Sequence, residues 1–180
     1  MAGGPGFLFW RESDRAYLLP MLILAVVLGL LLGTFYIVFT VARVDGDSMY
    51  PALHDEDRVL LTRGDQALTR GDIVALVDAS DSLTGGIIKR VVAVAGDEVS
   101  AFGDTIYVNS VLSTAAPDPV IGPDTTEIGS LIVPEGTVYV LGDNRPLSLD
   151  SRIIGPVPLA DVQGRVVAII LPLSRLTIID

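Results

Sequence analysis

Lys89 is the only lysine in this chain; the other eleven basic residues are arginine. Arginine keeps its proton in a protein, whereas a desolvated lysine can lose it and act as a base. Composition alone therefore makes Lys89 a candidate general base. A candidate nucleophile stands upstream in Gly46-Asp47-Ser48-Met49-Tyr50-Pro51, a serine in a glycine-led turn shortly after a long apolar segment. A hydroxyl becomes a useful nucleophile when a neighbouring base relieves it of its proton, and a Ser–Lys pair is one variant of that arrangement. The base must be largely neutral to do this, which requires a lysine pKa lowered from about 10.4 to roughly 7 to 8. The apolar flanks Ile87-Ile88 and Val91-Val92 provide the surroundings for such desolvation.

These residues need elements to hold them. From Ala16 to Ala42 there are 27 residues without a charged side chain. As a helix this run would be about 40 Å long, enough to cross a hydrocarbon core of about 30 Å. A cleavable secretory signal is the competing reading, since Arg11 and Arg15 precede the run and Thr40-Val41-Ala42 ends it in small residues. Secretory apolar regions stop at about 15 residues, so the run is read as a retained transmembrane anchor over residues 16–42, after a short segment 1–15. Pro20 then falls in the first turn, where proline is tolerated. Flanking charge does not orient the anchor, because Arg11 and Arg15 are matched by Arg43 and Arg58.

Residues 43–180 read as one mostly β domain of antiparallel strands. Short β-branched runs lie at Arg58–Thr62, Ile73–Val77, Ile87–Ala95, Thr105–Asn109, Leu131–Val133, Thr137–Leu141 and Val166–Leu171, separated by glycine, proline and aspartate. The Pro-, Thr- and Ser-rich stretch Ser110–Ser130 suggests a small insertion, a hairpin or long loop carried on the main body around residues 101–133. Residues 44–180 hold nine basic and twenty acidic groups. Such a surface does not neutralise phosphates, so no nucleic-acid partner is expected. Without cysteine there are no disulfides or thiolate metal sites, and the single histidine argues against zinc. No cofactor is expected, and the lack of cysteine fits an extracytoplasmic domain.

Five stretches in order resemble the type I signal peptidases, membrane-anchored Ser–Lys enzymes that remove secretory signal peptides. They are the anchor; Gly46-Asp47-Ser48-Met49-Tyr50-Pro51-Ala52-Leu53; Arg70-Gly71-Asp72-Ile73-Val74; Ile88-Lys89-Arg90-Val91-Val92 leading into Ala95-Gly96-Asp97; and Gly142-Asp143-Asn144-Arg145-Pro146-Leu147-Ser148-Leu149-Asp150-Ser151-Arg152 with Gly155 beyond. The resemblance implies an antiparallel β catalytic domain with Ser48 as nucleophile and Lys89 as general base. It implies that Ser148 hydrogen-bonds and orients the lysine, and that Asp150–Arg152 and Asp143–Arg90 are supporting ion pairs. It places Val44, Met49, Leu53, Ile87 and Ile88 around shallow apolar pockets for small residues one and three places before the cut. The oxyanion would be held by the Ser48 backbone N–H; some members add a hydroxyl two residues earlier, where this chain has Gly46. Secretory preproteins and membrane lipid are the implied partners, with the catalytic domain on the extracytoplasmic side of the cell membrane.

Two other readings compete. Self-cleaving repressors share a Ser–Lys dyad but carry a DNA-binding helical domain where this chain has its anchor. An inactive membrane-tethered paralogue would act as a binding subunit, against which stand Ser48, Lys89 and Ser148. A triad using His54, six residues beyond Ser48, is set aside because the base position is lysine.

Overall fold

The structure is a computed structural model that describes residues 12–64, 67–77, 87–116, 119–122 and 127–179. It divides into two units, Met1–Val38 and Phe39–Asp180. The first contains helix α1, Glu12–Val38. Tyr17–Val38 is long and apolar enough to cross a membrane, and its side chains are exposed on every face. A helix apolar all round matches a lipid environment. The helix begins at Glu12, so Pro20 lies inside it and not in its first turn as the sequence reading has it. The helix also ends four residues before Ala42.

The second unit is built from strands β1 Phe39–Arg43, β2 Arg58–Thr62, β3 Ile73–Leu76, β4 Ile87–Val94, β5 Glu98–Phe102, β6 Thr105–Val108, β7 Val111–Leu112, β8 Glu127–Ile132, β9 Thr137–Leu141, β10 Val157–Pro158, β11 Val162–Leu171 and β12 Thr177–Ile178, with one short helix, α2 Ser151–Ile154. The main sheet runs β1-β2-β11-β3-β4-β9-β10, with β12 added to β11. All of its named strand pairs are antiparallel. The smaller sheet runs β7-β6-β5-β8, so the insertion foreseen as a hairpin is a four-stranded sheet spanning Glu98–Ile132.

The position of β4 matters most for function. Flanked by β3 and β9, it is buried at six of its eight positions, Lys89 and Arg90 included. Strand residues alternate between faces, and the packing follows that rule. Ile88 joins the cluster of Val44, Met49, Leu53, Val59 and Leu61, whereas Ile87 and Val91 join Val74, Leu76 and Val140. Val92 and Ala93 belong to a third cluster with Val99, Ile106 and Tyr139, which joins the small sheet to the large one. The irregular register between Val91 and Ala93 accompanies the change of cluster.

Candidate active site

The turn that carries Ser48 is anchored on both sides. Beyond β1, Val44 N–H donates to the Asp57 carbonyl at 2.8 Å and Glu56 N–H donates to the Val44 carbonyl at 3.1 Å. The chain then reverses through Gly46 at φ +78°, in the left-handed region that glycine adopts without a Cβ penalty. Tyr50 N–H donates to the Asp47 carbonyl at 3.1 Å, closing the turn around Ser48, while Met49 and Leu53 are buried in the core beneath it. Ser48 is left half-buried.

Lys89 reaches this turn from β4, where it pairs with Val74 of β3. Its Nζ donates to Ser48 Oγ at 2.9 Å and to the Ile88 carbonyl at 2.9 Å. Only 2% of the residue is exposed, and burial lowers the lysine pKa to about 8; the nearby Asp150 and Asp143 carboxylates oppose that effect. Desolvation wins because each carboxylate is already paired. Asp143 accepts two hydrogen bonds from Arg90, at 2.9 Å and 2.6 Å, and Arg90 also donates to the Gly71 carbonyl at 2.8 Å. Asp150 accepts from Arg152 Nε at 2.9 Å and Nη2 at 3.1 Å, and from Gly142 N–H at 3.0 Å. Both ion pairs inferred from the sequence are thus formed, and both are buried, unlike the exposed pairs that contribute little.

The segment after β9 closes over the serine. Asn144 N–H donates to the Ser48 carbonyl at 3.0 Å. A Cβ on Gly142 would lie 2.5 Å from the Ser48 carbonyl oxygen and 2.5 Å from Ser148 Cβ. Ser148 is therefore at the site, packed against Gly142. Among the described residues its buried hydroxyl has no hydrogen-bond partner, and Lys89 bonds Ser48 and Ile88 instead. The Ser148–Lys89 hydrogen bond implied by the resemblance is not made in this rotamer.

Among the described residues the Ser48 backbone N–H has no intramolecular acceptor, which leaves it available to an oxyanion. Gly46 N–H is engaged by Asp55 Oδ1 at 3.0 Å. His54 stands apart from the dyad: its ring contacts Arg175 Nη1 at 3.1 Å and packs on Tyr50. Of the five pocket residues, Val44, Met49, Leu53 and Ile88 share one buried cluster, and Ile87 packs in another.

Two participants escaped the sequence reading. Arg145 is buried, with Nε donating to the Gly142 carbonyl at 2.9 Å, and Asp104 accepts from Arg152 Nη1 at 2.9 Å. Arg145 stood inside a recognised stretch and could have been singled out there. Asp104 sits beside Gly103 between β5 and β6 and reads as an ordinary turn residue.

The family described as signal peptidase, peptidase S26, matches residues 15–171. Signal peptidase I S of Bacillus subtilis is 34% identical over 146 residues, covering 73% of this chain and 74% of its own. The mitochondrial ATP-independent inner membrane protease subunit 1b of Arabidopsis thaliana is 34% identical over 167 residues, covering 90% of this chain and 88% of its own. A crystal structure of a signal peptidase I from Enterococcus faecalis is 31% identical, covers 57% of this chain and 98% of that one, and superposes with a TM-score of 0.43. With most of its length matched, from the apolar helix through β11, this chain belongs to the signal peptidase family, peptidase S26, and is a hydrolase of that family.

Proposed function

We propose that this protein is a membrane-anchored serine endopeptidase that cuts signal peptides from exported preproteins after small-x-small sites, using Ser48 as nucleophile and Lys89 as general base. The observation that carries the proposal is the 2.9 Å contact between Lys89 Nζ and Ser48 Oγ at a buried strand position, where the amine is easily deprotonated. The neutral amine takes the Ser48 proton as Oγ attacks the scissile carbonyl, and the ammonium so formed returns it to the leaving amine. The Ser48 N–H stabilises the oxyanion. A water then repeats the sequence to release the acyl group. Ser148, placed beside Gly142, orients the lysine once its hydroxyl turns toward Nζ, and the two Arg–Asp pairs hold β4 and the Gly142–Arg152 segment in register.

Substrate adds as a strand beside Ile87–Lys89, the end of β4 that β9 leaves unpaired, with its small side chains over Val44, Ile87 and Ile88, beneath which Met49 and Leu53 are buried. Incubating the detergent-solubilised full chain with preproteins carrying Ala, Ser, Leu or Asp before the cut tests this reading. The wild type should prefer Ala by well over roughly tenfold, Ser48→Ala should be inactive, and Ile88→Ala should relax the preference by about 1–3 kcal/mol. Equal cleavage after Leu and Ala would remove the specificity assignment.

Membrane lipid surrounds α1, the domain from Phe39 onward faces the extracytoplasmic side, and no nucleic acid or cofactor takes part. The domain carries a strongly acidic surface charge and no cysteine, which suits that side. Protease added to intact spheroplasts should digest the domain. Complete protection until lysis would reverse the orientation.

A further inference from the structure

We propose that Asp104, between β5 and β6, is a positioning residue for the reaction: it fastens the small sheet to the Gly142–Arg152 segment and so fixes that segment against Ser48. The inference rests on the Ser48–Lys89 reading above. Both oxygens of this buried carboxylate are used, Oδ1 accepting from Arg152 Nη1 at 2.9 Å and Oδ2 from Gly122 N–H at 2.6 Å. The Asp104 carbonyl accepts from Arg145 Nη1 at 3.3 Å. A continuous path leads from there to the nucleophile. Arg152 holds Asp150 and the Arg145 carbonyl, Asp150 accepts from Gly142 N–H, and Gly142 packs against the Ser48 carbonyl, to which Asn144 N–H also donates.

The small sheet side supplies a second set of contacts to the same segment. Val120 N–H donates to the Asp143 carbonyl at 2.8 Å, and Arg145 N–H donates to the Val120 carbonyl at 3.0 Å. Gly122, held by Asp104, lies directly against Pro146. Asp104 therefore joins two contacts that would otherwise be independent: the Arg152 guanidinium and the loop that lines the Gly142 segment.

The charges explain why this carboxylate reaches the chemistry. Among the described residues Asp104, Asp143 and Asp150 lie with Arg90, Arg145 and Arg152 in one buried charged group, and Asp143 and Asp150 bear directly on Lys89. Removing one carboxylate makes the surroundings of Lys89 more positive. That change disfavours the ammonium form of Lys89 and moves the acid limb of kcat/KM to lower pH. A carboxylate that merely glued the small sheet in place would change melting, while leaving kcat per folded molecule and the pH profile as they were.

The test uses the full chain in detergent with a preprotein carrying Ala before the cut, comparing wild type, Ser48→Ala, Asp104→Asn and Asp104→Glu. Asp104→Asn should lower kcat roughly tenfold to a hundredfold with KM nearly unchanged, and should shift the acid limb to lower pH. Asp104→Glu, which keeps the charge and overreaches, should lower kcat with the limb in place. A folded Asp104→Asn with wild-type kcat and profile overturns the proposal. If Asp104→Asn shows no cooperative melt, Asp104→Glu decides: reduced kcat with a normal melt supports positioning, and wild-type kcat overturns it. Loss of a cooperative melt in both variants also overturns it, because Asp104 is then a folding residue. A wild type that fails to cut, like Ser48→Ala, would instead remove the reading on which the proposal stands.

Discussion

Lys89→Arg is expected to fold and to lose the general-base contribution, a fall in kcat of roughly 10²–10⁴-fold. Arginine keeps the positive charge beside Asp143 and Asp150 but cannot give up its proton, so the variant separates charge from basicity. If it retained more than a few per cent of wild-type kcat, Lys89 would not be the base. In the wild type, kcat/KM should rise with pH through a value near 8, because burial holds the amine there and only its neutral form accepts the Ser48 proton. A profile flat across that region would contradict the assignment.

The same burial has a stability consequence of opposite sign. Folded Lys89 has a lower pKa than unfolded lysine, so between about 8 and 10.5 the unfolded chain binds the extra proton. Stability therefore rises with pH across that window, and the full penalty is present below it, on the order of 3 kcal/mol. Lys89→Met removes the buried amine while filling similar space. It should be inactive and should melt higher than wild type at pH 7, whereas a lysine kept for structure would give a lower melting temperature.

The contact between Ser48 and Lys89 was legible because its evidence is chemical identity. A single lysine among eleven arginines, and a serine in a glycine-led turn, identify themselves without three-dimensional information. Strands β2 and β9 were equally plain, being β-branched runs with punctuation at both ends. Strand β1 was hidden because Phe39-Thr40-Val41-Ala42 continues the apolar run of α1, and pairing with β2 alone marks where helix gives way to sheet. Strands β7, β10 and β12 have two residues each, too few for any period to show. The small sheet was underestimated for a different reason. Its strand β5 alternates buried and exposed positions as a strand should, but its partner β8 begins 25 residues after β5 ends, beyond the Pro- and Thr-rich stretch that dominated the reading.

The separation of Ile87 from Ile88 follows from strand alternation and was available in principle. The unpaired Ser148 hydroxyl was not available, because a hydroxyl's partner depends on rotation about a single side-chain bond. Asp104 was the hardest to foresee. Its meaning comes from Arg152, 48 residues away, and no local pattern distinguishes it from any aspartate following a glycine in a hairpin turn.

Gly142→Ala should abolish most activity by adding one methyl group. The requirement is spatial and not conformational, since Gly142 is not among the glycines with positive φ. The new Cβ would lie 2.5 Å from the Ser48 carbonyl oxygen and 2.5 Å from Ser148 Cβ, with the Ser148 hydroxyl closer still. The Ser148 hydroxyl can turn away, but the backbone cannot retreat cheaply: the Ser48 carbonyl is fixed by Asn144 N–H, and Gly142 N–H is held by Asp150. Overpacking of this kind costs about 1–3 kcal/mol of stability, which a domain with this core can absorb. Catalysis suffers more, because moving the turn displaces Ser48 Oγ from Lys89, and a displacement of about 1 Å can cost on the order of a hundredfold in rate. The variant should therefore melt cooperatively, bind preprotein with KM close to wild type, and cut it roughly a hundredfold more slowly. Gly129→Ala is the control, since a Cβ there meets nothing within 4 Å, and its kcat should match wild type. Wild-type kcat in folded Gly142→Ala would show that the Ser48 turn can move without penalty, and the account of how this segment holds the nucleophile would have to be abandoned.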